Sequence, residues 1–385
     1  MEDIYNTQQR LDSITNKIKG SEISASNKKQ LVEFTNHCLA DGVGKNKMSR
    51  YLYDLHNISL WLGKDFQDVK KQDIERILVK LQETKYSEWT KKGYKVILKK
   101  FYKWFKKTKV YPDEVEWIKT AIKENHKRLP ETILVEEEIK KLLDACPNIR
   151  DKALISTIYD SGCRVGELLN LKLKDIEIVD YGMKVCLTGK TGMRKILLIS
   201  AVPYLTEWLN KHPIKQPESY LWVKRNGKRI SYGRTRNLLA EAAIAAGIKK
   251  KVNPHNFRHS RATFYASKLR EREMMEYFGW KKSDTVGIYV HLNGETVDRA
   301  ILRSNGIIKA EEQDAITLKP RKCKRCGNVN KATDTFCSRC SLALDEKTMQ
   351  ELKQKDMERT QADEIMNKLI KDPEIYELIK KKLSL

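Results

Sequence analysis

The stretch SGCRVGELLNLKLKDI, residues 161–176, sets a glycine turn, an arginine and a long apolar run in immediate succession. That order opens a helix just after Gly162, with the Arg164 guanidinium able to reach over the helix N-terminus. Glu167 stands three residues on, close enough on a helix to brace Arg164. Beyond the stretch the pattern changes period. Residues 175–179, 184–187 and 195–199 are β-branched runs around Gly182 and Gly189–Gly192, which predicts a small antiparallel sheet with tight turns. Helical spacing holds over 135–146 and 150–160 on one side, and over 202–211, 232–246, 260–269 and 272–278 on the other. Residues 134–306 therefore read as one mixed α+β domain.

Toward the N-terminus the chain reads as all-helical over 26–126, with Ser26–Asn27 as a helix start and Gly42–Gly44 as a break. Residues 1–25, with Ile4, Leu11, Ile14 and Ile18 at helical spacing, form a short amphipathic helix or arm. The helix expected over 88–107 puts Tyr94, Ile97, Leu98, Phe101, Trp104 and Phe105 on one face. Lys92, Lys95, Lys99, Lys103 and Lys106 take the other, and no acidic residue occurs between Trp89 and Pro112. A solvated helix face normally mixes signs, so a lysine-only face points to an anion opposite; plain solubility is the other reading. Residues 108–133 pass through Pro112 and Pro130 as a linker.

Toward the C-terminus, 307–320 form a second linker before Cys323, Cys326, Cys337 and Cys340, in the spacing C-x2-C-x10-C-x2-C. Two close thiolate pairs of this kind converge on a tetrahedral Zn2+ as a structural zinc ribbon, here over 319–344. Residues 345–385 form a near-neutral helical tail whose Ile365, Leu369, Ile375, Leu378 and Ile379 need a partner surface, in this molecule or in a neighbouring subunit. The other four cysteines, Cys38, Cys146, Cys163 and Cys186, read as small buried apolar residues. The fold class is thus multidomain and mainly α: a helical N-terminal domain, a mixed α+β domain with a small antiparallel sheet, a zinc ribbon and a helical tail.

Charge narrows the partners. The 385 residues hold 75 Lys+Arg against 51 Asp+Glu, a formal +24; the tail is one negative charge from neutral, so residues 1–344 carry about +25. Such a surplus favours polyanions, although a lysine-rich proteome gives the same arithmetic. No run approaches the ~18 apolar residues of a spanning helix, and the N-terminus has no secretory pattern. The expectation is a cytoplasmic, nucleoid-associated protein without disulfides and without a membrane partner.

Two further segments hold unusual polar residues. In HNFRHS, residues 255–260, His255 and Arg258 are three apart and share one side of a helical turn. In FGWKKSDTVGIY, residues 278–289, Trp280 and Tyr289 stand nine apart. Taken with SGCRVGEL and with the GKTGMRK hairpin at 189–195, these segments resemble, in order and spacing, the boxes of the tyrosine recombinase (phage integrase) family. The resemblance spans about residues 26–300. It identifies the helical domain as similar to the family's core-binding, DNA-clamping domain, and 134–306 as similar to its catalytic domain. The chain departs from the usual pattern at Trp280, where most members have His, and at Phe257, where Leu is usual. The ribbon and tail lie outside the resemblance.

The resemblance implies a site-specific DNA recombinase of integrase or resolvase type, working as a homotetramer on double-stranded DNA through a Holliday junction. Tyr289 would attack the scissile phosphate and form a 3′-phosphotyrosyl bond, with Arg164 and Arg258 holding the nonbridging oxygens. His255 would act as general base. Lys190 would protonate the leaving 5′ oxygen, with Lys195 as the alternative, and Trp280 would donate its indole N–H and pack against Tyr289. The implied chemistry uses no cofactor; Zn2+ is structural only. Two other readings share the scaffold: a non-catalytic DNA-binding regulator and a type IB topoisomerase-like enzyme.

Overall fold

The computed structural model describes residues 3–121, 133–189, 192–290, 318–371 and 373–383. The chain divides into two compact units, Met1–Leu129 and Pro130–Leu385.

Among its described residues the first unit has five α-helices, α1 (Thr7–Lys19), α2 (Ala25–Ala40), α3 (Lys45–Leu62), α4 (Lys71–Glu83) and α5 (Glu88–Phe105), with a short 3-10 turn at Phe66–Asp68. Their apolar stripes meet in an aromatic core of Phe34, Phe66, Tyr94, Phe101 and Tyr102, and α1 buries Leu11, Ile14 and Ile18 in that same core. Ser24, rather than Ser26–Asn27, caps α2 by accepting the Asn27 N–H at 3.1 Å. Asn27 is itself buried: its amide donates to Ser59 Oγ and to the Lys64 carbonyl, and its oxygen accepts from the Phe66 N–H at 2.8 Å. A side chain with both donors and acceptor can satisfy three buried partners, and a clamp between α2 and the loop after α3 used it so. The expected linker also differs. Val115 and Ile118 enter the core, so residues 108–121 fold back on α5; residues 122–132 lie outside the described residues.

The second unit begins with α6 (Glu136–Ala145), α7 (Ile149–Ser161) and α8 (Val165–Leu169), followed by β1 (Ile176–Val179), β2 (Gly182–Gly189) and β3 (Gly192–Leu198). The three strands form an antiparallel sheet in chain order, with Leu187 opposite Arg194 and Gly189 opposite Gly192. Then come α9 (Val202–Lys211), α10 (Tyr232–Ala245), α11 (Pro254–Ala266), α12 (Glu271–Phe278) and α13 (Asp284–Val290). Helix α7 is buried on almost every side and forms the axis of the unit. It stops at Gly162, which sits at φ 54°, where a Cβ would also come within 2.6 Å of the Phe278 ring. Only glycine makes that turn without strain. Helix α11 starts six residues before the expected 260. Asn253 caps it by accepting two backbone N–H groups and Pro254 opens it, a start that the sequence does carry.

After residues 291–317, which lie outside the described residues, two short strands, β4 (Arg321–Lys322) and β5 (Val329–Asn330), pair around the cysteine quartet. The quartet lies against α9: Lys331 Nζ is 2.5 Å from Glu207 and lies over the Tyr204 ring. The tail forms α14 (Glu346–Ile370) and α15 (Pro373–Leu383). No residue of α14 is buried, and Ile365, Met366 and Ile370 are exposed. Among the described residues no helix is long and apolar enough to cross a membrane.

Candidate active site

Glu167 is the hub that joins the separate segments. Its carboxylate, 2% exposed, accepts the backbone N–H of Arg164 at 3.0 Å and the Arg164 guanidinium at 3.1 Å. It also accepts a two-pronged bond from Arg194 on β3, at 3.0 and 2.8 Å. Burial alone would push this carboxyl up, but the bonds from Arg194 and Arg164 and their charges outweigh it and hold Glu167 below its ordinary range. Arg194 Nε reaches on to the Tyr277 carbonyl at 2.9 Å. The hairpin fits this closely because position 189 is glycine: a Cβ there would stand 2.5 Å from Glu167 Oε1.

Arg258 is 4% exposed and donates to two backbone carbonyls, Gly162 at 2.9 Å and Phe278 at 2.7 Å. Those bonds orient its plane and tie the glycine turn to the end of α12. Burial and the neighbouring charges of Arg164 and Arg194, against the opposing charge of Glu167, bring Arg258 down to about 10. Two arginines held this way form a pocket of positive potential that an anion relieves. One turn on, Arg261 is buried with Asp160 at 2.6 Å, and the other Asp160 oxygen accepts the Ile199 and Ala201 N–H groups. That fully satisfied pair locks α11 to α7 and to the end of the sheet.

Tyr289 lies on α13, a short helix outside the helical spacings of the sequence, and is 4% exposed. Its ring stacks on Trp280 at 5.3 Å and 6°, and Trp280 stacks on Phe278 at 4.7 Å. The Arg258 guanidinium stands 5.4 Å from the Trp280 ring centre. The imidazole in contact with the phenol is that of His259, whose Nδ1 is 2.6 Å from Tyr289 Oη. His255, the histidine singled out from the sequence, sits edge-on to His259 at 4.1 Å between ring centres. His255 is held below its ordinary value by burial and by Arg258 and Arg164. His259 is pushed down to about 4 by burial, His255 and Arg258. Burial raises Tyr289, with Arg258 opposing. At neutral pH the phenol therefore holds its proton and the imidazole is neutral, and the tautomer of His259 sets which of the two donates the bond.

Lys190 lies outside the described residues. Lys195 projects from β3 toward Glu177, 3.4 Å away at an exposed position. Sequence reasoning passed over His259, Arg194 and Arg261. His259 stands four residues after His255 on the same helical face, and that spacing was the available signal. Arg194 stands opposite Leu187 in the strand register, which becomes visible only once the hairpin is paired.

In the first unit, the lysine face of α5 is less open than its sequence suggests. Lys99 donates to the Glu116 and Ile118 carbonyls, and Lys106 pairs with Glu114 at 2.9 Å, because residues 108–118 lie across that end of the helix. Lys92 lies over Trp89 and Lys103 over Tyr111, while Lys95 lines a hollow with Trp117. In the second unit the four Sγ atoms of Cys323, Cys326, Cys337 and Cys340 lie within 4.8 Å of one another, with Cys323–Cys340 and Cys326–Cys337 each at 3.5 Å. A Zn–S length of ~2.3 Å requires tetrahedral sulfurs about 3.8 Å apart, so the quartet fits that ion. Each knuckle turns through one left-handed residue, Gly327 and Ser341.

The chain matches the phage integrase family over residues 132–296, ending before the cysteine quartet. Tyrosine recombinase XerA of Pyrococcus furiosus is 30% identical over 285 residues, covering 71% of this chain and 93% of that protein. A tyrosine recombinase of Thermosipho africanus is 27% identical over 264 residues, covering 64% of this chain and 89% of its own. In fold, the chain is similar to XerH site-specific recombinase bound to a palindromic difH substrate in a post-cleavage complex, with a TM-score of 0.57 at 20% identity over 79% of this chain and 98% of that one. It is also similar to a lambda integrase tetramer bound to a Holliday junction, with a TM-score of 0.56 at 17% identity over 72% of this chain and 81% of that one. A relative of such identity, matched almost from end to end, places this chain in the tyrosine recombinase, or phage integrase, family.

Proposed function

We propose that this site-specific DNA recombinase breaks a strand with Tyr289 and rejoins it after exchange, in a homotetramer on two duplexes, through a Holliday junction. The observation that carries the residue assignment is the convergence of Arg164, Arg258, Trp280 and Tyr289 from separate segments onto one patch, tied together by Glu167 and by carbonyl bonds. A phosphodiester carries one negative charge that grows toward two in the transition state. Arg258 spends two of its N–H groups on carbonyls and keeps others for the nonbridging oxygens. Arg164, whose side chain is 40% exposed, closes on the same phosphate from the start of α8.

In the step itself Tyr289 Oη bonds to phosphorus, the bond to the 5′ oxygen breaks, and an α11 imidazole takes the phenol proton. The departing oxygen takes a proton from a lysine of the β2–β3 hairpin, for which we assign Lys190. The phosphotyrosyl bond keeps the energy of the phosphodiester, so resealing needs no ATP. The lysines of α5, Lys92, Lys95 and Lys103 among them, clamp DNA through its phosphates. Zn2+ held by the four cysteines would fix the 319–344 module against α9, and the exposed apolar residues of α14 fit a contact with a neighbouring subunit.

A library of nicked duplexes with randomised sequence tests the reading. Covalent protein–DNA products enriched for one sequence are expected, and a supercoiled plasmid carrying two copies of it should recombine. Relaxation of a plasmid lacking that sequence would favour a topoisomerase. Binding with no covalent product would favour a regulator.

A further inference from the structure

We propose that Arg194 is a positioning residue of the cleavage site: it takes up the charge of Glu167 and so leaves the Arg164 guanidinium free for the scissile phosphate. The inference rests on the recombinase reading above and adds to it a residue that does not itself touch the phosphate.

Strand β3 sets Arg194 inward. Side chains alternate along a strand; Ile196 and Leu198, on the same face as Arg194, are buried, whereas Met193 and Lys195 on the other are exposed. A guanidinium on the inward face is costly unless it is bonded. Here each of its three nitrogens has an acceptor. Nη1 and Nη2 donate to the two oxygens of Glu167 at 3.0 and 2.8 Å, and Nε donates to the Tyr277 carbonyl at 2.9 Å. The side chain is 9% exposed and is spent on these partners. Tyr277 and Phe278 end α12, where carbonyls lack a partner within the helix, and Arg194 and Arg258 take one each.

Glu167 is charged and 2% exposed, so it must be paired. Two guanidiniums lie within reach, and they share it unequally. Arg194 takes both carboxylate oxygens. Arg164 makes a single side-chain bond, at 3.1 Å, to an oxygen that Arg194 also holds, and its side chain stays 40% exposed. Burial pushes the Glu167 carboxyl up, and the bond from Arg194 comes first among the influences that hold it down, ahead of the Arg164 backbone N–H and the Arg164 charge. Without Arg194 the buried carboxylate would have only Arg164 to turn to, and a two-pronged bond would draw that guanidinium in. The ion pair and the phosphate would then compete for the same N–H groups. One arginine therefore neutralises the brace, and the other is left for the substrate.

The test uses the full-length protein and two readouts. The first is the rate at which phenylglyoxal, a guanidine reagent, modifies Arg164 in the DNA-free protein, followed by mass spectrometry. The second is single-turnover cleavage of a nicked duplex carrying the enriched sequence. In Arg194→Met, Arg164 should be modified at least about threefold more slowly, and cleavage should fall at least about tenfold. A site that had merely loosened would expose Arg164 and label it faster. Adding Glu167→Gln to Arg194→Met removes the buried charge that captures Arg164. Labelling should then return to the parent's rate, and cleavage should rise at least about threefold above Arg194→Met alone. Should Arg194→Met fail to fold, Arg194→Lys takes its place. It keeps the charge, but one ammonium cannot span both carboxylate oxygens and the Tyr277 carbonyl, so both readouts should fall at least about twofold. Smaller reductions than these in a variant with a parent-like melting transition, or a double variant no faster than its Arg194 single variant, would overturn the proposal. If the parent forms no covalent product, or Tyr289→Phe cleaves like the parent, the recombinase reading fails instead, and the labelling alone decides the role of Arg194.

Discussion

Helices α5 and α11 both carry clustered basic residues, and they use them in opposite ways. Residues 91–109 hold nine lysines, all but the buried Lys91 around the outside of an aromatic core, several resting on Trp89 or Tyr111 or tied by residues 108–118. In α11, Arg258 and Arg261 are each 4% exposed and every bond they make is to a fixed backbone carbonyl, carboxylate or hydroxyl. Outside, charge acts by number and is screened by salt. Inside, charge acts by position, because desolvation makes an unpartnered guanidinium costly and the partners dictate where it points. The contrast separates holding DNA from breaking it.

The largest expected effect comes from keeping charge and removing position. Arg258→Lys leaves the positive charge but cannot span the Gly162 and Phe278 carbonyls, so single-turnover cleavage should fall by about 10³ with DNA affinity little changed. Near-normal cleavage would mean that charge alone suffices in α11, and the contrast would collapse. Glu167→Gln weakens the bonds to Arg164 and Arg194 and should slow cleavage by about 10–100-fold, again with binding retained.

Smaller effects sharpen the same contrast. Lys92, Lys95 and Lys103 changed together to Gln should leave saturated cleavage intact. The slope of log affinity against log salt should become shallower by up to ~0.9 for each lost phosphate contact. Acidification tests the buried imidazole. His259 titrates near 4 in the folded chain, below the ordinary value of ~6.5, so the unfolded chain takes up the proton first. The stability from keeping it neutral is therefore complete above about pH 6.5 and is lost as pH falls toward 4. Thermal melts over that window should show a loss of stability that is smaller in His259→Asn, where the depressed His255 and His56 still contribute. If the cysteine quartet holds Zn2+ as proposed, a chelator or Cys337→Ser should loosen the 319–344 module and lower its melting transition while cleavage persists.

Much of the site was legible because its signals are local. The Gly162 turn, the Arg164–Glu167 brace and the His255–Arg258 spacing are each set within one helical turn. The hairpin followed from its glycines. What stayed hidden depends on residues far apart in the chain. Asn27 read as a helix start because its buried partners, Ser59, Lys64 and Phe66, lie more than thirty residues away. Glu114, which compensates Lys106, sits beyond the helix whose lysines looked unopposed. His259 read as an ordinary member of its motif, since only the packing of α13 on α11 brings Tyr289 to it. The cysteine quartet was legible from spacing alone, while its seat on α9 was not.

Proteolysis and mass spectrometry of the trapped covalent complex test most directly whether a tyrosine stowed among buried, fixed charges breaks the DNA strand. The 3′-phosphonucleotide is expected on Tyr289, with no adduct from Tyr289→Phe at any salt concentration. A nucleotide attached to another residue, or an adduct that survives Tyr289→Phe, would contradict that role.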